Sequence, residues 1–90
     1  MVRLLWSRTF EKSFGKLTPQ LKNATFRAVA KLKEDLKHPS LRLEKLQGLP
    51  DYWSIRVNLG YRIVLHRQQE GEDDVFTLVG VGPHDIYTRL

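Results

Sequence analysis

Apolar residues along this chain of 90 keep a helical spacing in the first half and an alternating one in the second. Residues 2–6 read as a short opening strand. Phe10, Phe14 and Leu17 then fall at i, i+4 and i+7, which draws one stripe down a helix. Ser7 or Thr9 supplies a capping hydroxyl for it. Thr18-Pro19 starts a second helix, with a hydroxyl at the cap and proline at the first helical position. Leu21, Thr25, Ala28, Val29, Leu32 and Leu36 share the inner face of that helix. Lys22, Lys31, Lys33 and Lys37 mostly lie off it. His38-Pro39 ends it, because a residue before proline resists the α region. A very short link makes the two segments a helical hairpin.

From Trp53 onward the period is two. Trp53, Ile55 and Val57 point one way, and Ser54 and Arg56 the other. Asn58-Leu59-Gly60 supplies a turn, after which Tyr61, Ile63 and Leu65 alternate with Arg62, Val64 and His66. Residues 70–74 form an acidic turn, and residues 76–81 a nearly continuous apolar run, as in a strand buried on both faces. Gly82-Pro83 breaks that strand, and residues 84–90 are a tail or a last helical turn. Residues 40–51 read as a connecting loop tacked down by Leu41, Leu43 and Leu46. The order is therefore β-α-α-β-β-β. It predicts an α+β fold of one domain over residues 1–90, with the helical hairpin on one face of a mostly antiparallel four-stranded sheet. Leu21, Val29, Leu32, Trp53, Ile55, Ile63 and Leu78 are expected in one core.

Composition narrows the function. The chain has no cysteine, so neither disulfides nor a thiolate metal site is available, and three scattered histidines show no recognised zinc spacing. No phosphate-cradling glycine loop or nucleotide fingerprint is present. No cofactor or metal is expected. The apolar start is too short for a secretory leader, and no run approaches the ~18 apolar residues of a membrane span. A cytoplasmic protein is the expectation. The net charge of +5 is uneven: residues 1–50 hold eleven Lys/Arg against four Asp/Glu, and residues 51–90 hold four against six. A basic first half fits a polyanion or an acidic protein partner, and equally a solvated lysine-rich helix face.

The candidate chemistry lies around the hairpin. Arg56 and Arg62 flank its turn on one face, where two like charges invite an anion between them, and guanidinium forks match phosphate. They can equally be solvated sheet arginines, one of them paired with Glu44 or Asp51. Arg62, taken as solvent-facing, is expected to matter little to the core. Glu44, among Arg42 and Lys45, is a general-base candidate or an ion-pair partner. His84 can act as a general acid near neutral pH or be a plain surface residue. Asp85 can orient it. Tyr87 can stack on a base or simply pack. His66 shares the strand face of Arg62, and His38 is read as a helix-end residue without a role.

Taken in order, these segments resemble the RelE/ParE superfamily of toxins. The resemblance runs through Trp6-Ser7, the helical pair, Leu43-Glu44-Lys45-Leu46-Gln47-Gly48, Tyr52-Trp53-Ser54-Ile55-Arg56-Val57, Gly60-Tyr61-Arg62-Ile63-Val64 and Val81-Gly82-Pro83-His84-Asp85-Ile86-Tyr87. It implies a toxin of a type II toxin–antitoxin system, closest to the RelE, YoeB and YafQ ribonucleases. Such a toxin cleaves mRNA on the ribosome without a metal and is neutralised by a cognate antitoxin. Carried over residue by residue, the resemblance makes Glu44, Arg62 and His84 catalytic. It matches Arg56 and Tyr87 to further positions of the family's site, and these two, with Arg42, Lys45, His66 and Asp85 beside them, are expected to be RNA-binding. RelE-type enzymes carry lysines on the strand where this chain has Ser54 and Arg56, and here His84 is followed by six further residues. The same superfamily also implies two alternatives, a ParE-like non-catalytic inhibitor of DNA gyrase and a non-toxic antitoxin-binding homologue.

Overall fold

The computed structural model of this chain describes residues 2–83. Its elements are β1 (Val2–Trp6), α1 (Arg8–Gly15), α2 (Pro19–Glu34), a 3-10 turn (Pro39–Leu41), β2 (Glu44–Lys45), β3 (Tyr52–Arg56), β4 (Tyr61–Glu70) and β5 (Asp73–Pro83). The strands form one sheet in the order β1-β5-β4-β3-β2. Every neighbouring pair is antiparallel except β1 and β5, which run parallel. The architecture is the expected α+β, with five strands in place of four.

Each helix starts where its cap dictates. Ser7, not Thr9, caps α1, and its hydroxyl accepts from the Phe10 amide at 3.0 Å. Thr18 caps α2 by accepting from Leu21 N at 3.3 Å, with Pro19 at the first position. Helix α2 stops at Glu34, short of the expected His38. Asp35 takes an extended conformation there, and its carboxylate accepts from Lys37 N at 3.1 Å. This local turn competes with another helical turn, so Leu36 packs on the core from outside the helix.

Phe10, Leu32, Ile55, Ile63, Leu65, Phe76 and Leu78 are fully buried in one cluster between the helices and the sheet. Trp53 packs against that cluster half-buried, whereas Leu21 is half-buried outside it. Strand β5 explains the unbroken apolar run. A register shift sets Val64 opposite Gly80 but Leu65 opposite Leu78, so Val79 has no opposite residue. The bulge lets both Leu78 and Val81 reach the core despite their odd spacing. Ser13 then ties α1 to this strand by accepting from Val81 N at 3.0 Å.

Two boundaries differ from expectation. Gly71, at φ +60°, helps the β4–β5 hairpin turn in two residues, and Asp73 and Asp74 become part of the strand. The fifth strand, β2, lies in the segment expected as loop. It pairs Glu44 with Ser54 and Lys45 with Trp53, and Leu46 N extends the pairing to Tyr52 O at 2.8 Å. Two residues are too few to show an alternation.

Leu32→Ala is expected to cost about 2–5 kcal/mol, as truncation at a closed site leaves a cavity. Leu5→Ala, at a residue that is 48% exposed, should stay within about 0.5 kcal/mol. Urea unfolding of the two variants checks the difference.

Candidate active site

The β3–β4 hairpin places the candidate residues. Asn58 closes its turn by accepting from the amides of Gly60 and Tyr61, both at 2.9 Å, and Val57 N donates to Tyr61 O at 2.9 Å. This closure sets Arg56 directly opposite Arg62, Ser54 opposite Val64, and Tyr52 opposite His66. Ile55 and Ile63 face the helices, so strand alternation turns Ser54, Arg56, Arg62 and His66 to the other face of the sheet.

Contrary to the sequence expectation, Arg62 does not face solvent. It is only 7% exposed. Its Nε donates to Ser54 Oγ at 3.1 Å, and its Nη2 donates to the Arg42 carbonyl at 3.0 Å. The same Nη2 stands 3.6 Å from Glu44 Oε2. Burying a guanidinium requires such partners, because an unpaired charge is very costly away from water. The carbonyl is aimed by the backbone of Arg42, which sits in the left-handed region at φ +46°. Glu44 is brought alongside by its pairing with Ser54. Its own side chain remains 60% exposed, so the carboxylate meets both the guanidinium and solvent. The ion-pair reading of Arg62 and Glu44 therefore holds, and the pair still offers a fixed cation beside an accessible base.

The other candidates distribute unevenly. Arg56 lies across the ladder from Arg62 and is half-buried. His66 lies on the same face and stacks edge-on against Tyr52, with ring centroids 5.1 Å apart. Lys45 is opposite Trp53, so alternation puts it on the helix side, away from Arg62. Arg42 joins the site through its carbonyl, and it also borders a groove of about 480 Å³ with Leu43, Trp53 and Arg67. Asp51 is linked to Arg67 through its backbone carbonyl, at 2.8 Å. His38 caps the 3-10 turn, with Nδ1 accepting from Ser40 N at 3.2 Å. His84, Asp85 and Tyr87 lie outside the described residues. Ser54 and the Arg42 carbonyl were not foreseen as holders of Arg62. The alternation hinted at Ser54, but no sequence signal marks a carbonyl twenty residues away. Among the described residues, no three His, Asp or Glu side chains gather as a metal site requires.

Solved structures show the same fold. A YoeB/ParE toxin from Agrobacterium tumefaciens superposes with a TM-score of 0.72 at 16% identity, over 91% of this chain and 98% of that one. YafQ from E. coli strain BL21(DE3) gives 0.70 at 14% identity, over 97% and 98%. RelE in the RelB–RelE antitoxin–toxin complex of Methanococcus jannaschii gives 0.68 at 19%, over 96% and 98%. No protein-family model matches the sequence, and no curated protein matches it. The chain thus has the RelE/ParE toxin fold, at identities where likeness speaks for the fold alone.

Arg62→Ala should lower stability by about 1–3 kcal/mol, since Ser54 Oγ and the Arg42 carbonyl lose a donor. Glu44→Gln should leave stability within about 0.5 kcal/mol, as expected of an exposed carboxylate. Denaturant melts of both variants decide. An unchanged midpoint for Arg62→Ala would show that the guanidinium does not hold this corner of the sheet.

Proposed function

We propose that the protein is the toxin of a type II toxin–antitoxin pair and acts as a ribosome-dependent mRNA endonuclease. The observation that carries this reading is the buried, pre-oriented Arg62 guanidinium with an accessible carboxylate 3.6 Å away, on a sheet shared with RelE-type toxins. A binding toxin does not need an oriented cation beside a solvent-reaching base. An RNA-cleaving one needs both.

In the proposed reaction Glu44 takes the proton of a ribose 2′-OH, and that oxygen attacks the adjacent phosphorus. A new P–O2′ bond forms as the P–O5′ bond breaks, leaving a 2′,3′-cyclic phosphate. Arg62 stabilises the charge that gathers on the phosphoryl oxygens. Its place in the fold is fixed before substrate arrives, which spares reorganisation during the reaction. Arg56 adds a second positive charge one strand away. His84, assigned on sequence alone, gives a proton to the departing 5′ oxygen. This chemistry needs no metal.

The antitoxin partner is inferred from solved complexes of the same fold, the RelB–RelE pairs. Two features of this chain support it. Trp6 and Phe26 form an apolar patch at 44 and 52% exposure, with ring centroids 6.3 Å apart. Arg8, Lys22, Arg27 and Lys33 are near it in sequence and are four of the eleven basic residues of the first half. An acidic, amphipathic antitoxin segment suits both. Among the described residues no helix is long and apolar enough to cross a membrane.

Single-turnover cleavage of mRNA on programmed ribosomes checks the roles. Glu44→Gln and His84→Ala should each slow the chemical step by about 10²–10⁴-fold, the usual worth of acid–base help. Arg62→Lys keeps the charge but loses the fork, and should fall at least as far. Wild-type rates in Glu44→Gln and His84→Ala together would overturn the assignment. A wild type that cuts nothing yet blocks gyrase supercoiling would replace it with the ParE-like reading.

A further inference from the structure

Helix α2 carries Ala24, Arg27, Ala28 and Lys31 at i, i+3, i+4 and i+7, a single stripe. Together with Ser40 and Leu41 of the 3-10 turn, and Arg56 and Val57 at the end of β3, they line a pocket of about 80 Å³. The lining holds three cationic residues, one hydroxyl and no carboxylate. The two alanines leave the space between the cations open.

The charge balance sets this pocket apart. The other arginines that reach across the sheet are paired: Arg3 with Glu70 at 3.1 Å, Arg67 with Asp74 at 3.1 Å, and Arg62 with Glu44 at 3.6 Å. Among the described residues, Arg27, Lys31 and Arg56 have no carboxylate partner. Lys31 reaches only Ser40 Oγ, at 3.3 Å, and that oxygen lies 2.8 Å from His38 Nδ1. Three like charges around so small a space repel one another, and among the described residues no carboxylate pairs with them. A multivalent anion would. The pocket has roughly the volume of two or three waters, which suits a phosphoryl group. The Arg27 guanidinium, the Lys31 ammonium and the Ser40 hydroxyl also offer more donors than the two oxygens of a carboxylate can accept.

We propose that this pocket binds a phosphate group, and that its natural occupant is an RNA backbone phosphate. Arg56 lines the pocket from the end of β3, while the Arg62 guanidinium, opposite it in the ladder, serves the sheet face away from α2. The second half of the proposal rests on the endonuclease reading, whereas the phosphate site itself does not. Bound there, a backbone phosphate fixes the register of the RNA without reading its sequence.

The test has two arms. In the first, the intact ¹⁵N-labelled protein is titrated with inorganic phosphate at constant ionic strength, and in parallel with acetate. Saturable shifts are expected at Arg27, Lys31, Ser40 and Arg56 with phosphate only. They should weaken at least tenfold in the double variant Arg27→Gln/Lys31→Gln. Glutamine suits a helix surface, and unshifted core amides would confirm that the variant folds. No saturable shift, equal response to acetate, or wild-type binding by the double variant would each overturn the pocket. In the second arm the double variant cuts mRNA on programmed ribosomes under single turnover. A higher protein concentration for half-maximal rate with the plateau kept supports the RNA assignment. A lowered plateau with unchanged half-saturation overturns it. Phosphate binding by a wild type that cleaves nothing supports the pocket and sinks the RNA assignment together with the endonuclease reading.

Discussion

The buried Arg62 guanidinium is the interaction on which this side of the molecule depends. A cation at 7% exposure in a small sheet persists only if the surrounding chain supplies acceptors. Three separate pieces supply them: the Ser54 hydroxyl from β3, the Arg42 carbonyl from a left-handed turn, and the Glu44 carboxylate from β2. The two-residue strand β2 makes sense in this light. Its pairing with β3 brings Glu44 beside Ser54, and so beside Arg62. The guanidinium thereby ties the loop after α2 to the central hairpin.

Under the proposed function, catalysis and stability are coupled at Arg62. An arginine lying free on a sheet would have to be ordered when RNA binds, at a cost in side-chain entropy. Here folding has already fixed it. The two faces of the sheet divide the work. Phe10, Leu32, Ile55, Ile63 and Phe76 close the helix side, and the polar residues of the same strands turn to the other. The bulge at Val79 keeps that division intact along β5 by resetting the alternation before Val81.

Much of the fold could be read from the sequence because its strongest signals are periodic. The α2 stripe was legible from Thr25, Ala28, Val29 and Leu32, all of which are buried. The hairpin register was legible from Ile55 and Ile63, which pair across the turn. What escaped was short or non-local. Strand β2 is too brief to alternate, and Asp35 ends α2 by a side-chain contact that propensity does not reveal. The pairing of Arg62 with Glu44 was one of two readings the residues allowed. Its burial was missed, since a hydrophobic pattern assigns an arginine to solvent by default. Lys45 was grouped with the site by sequence proximity, and a single step along β2 moved it to the other face.

The central claim is that this chain cuts RNA by attack of a 2′-OH aligned at Arg62. The most direct measurement exposes programmed ribosomes to the wild-type protein. It uses two mRNAs that differ by a single 2′-deoxy substitution at the nucleotide 5′ to the cut, and it identifies the ends of the fragments. The account predicts 2′,3′-cyclic phosphate and 5′-OH ends from the ribose substrate, and an uncut deoxy substrate. Equal cleavage of both mRNAs, or fragments bearing 5′-phosphate, would contradict it.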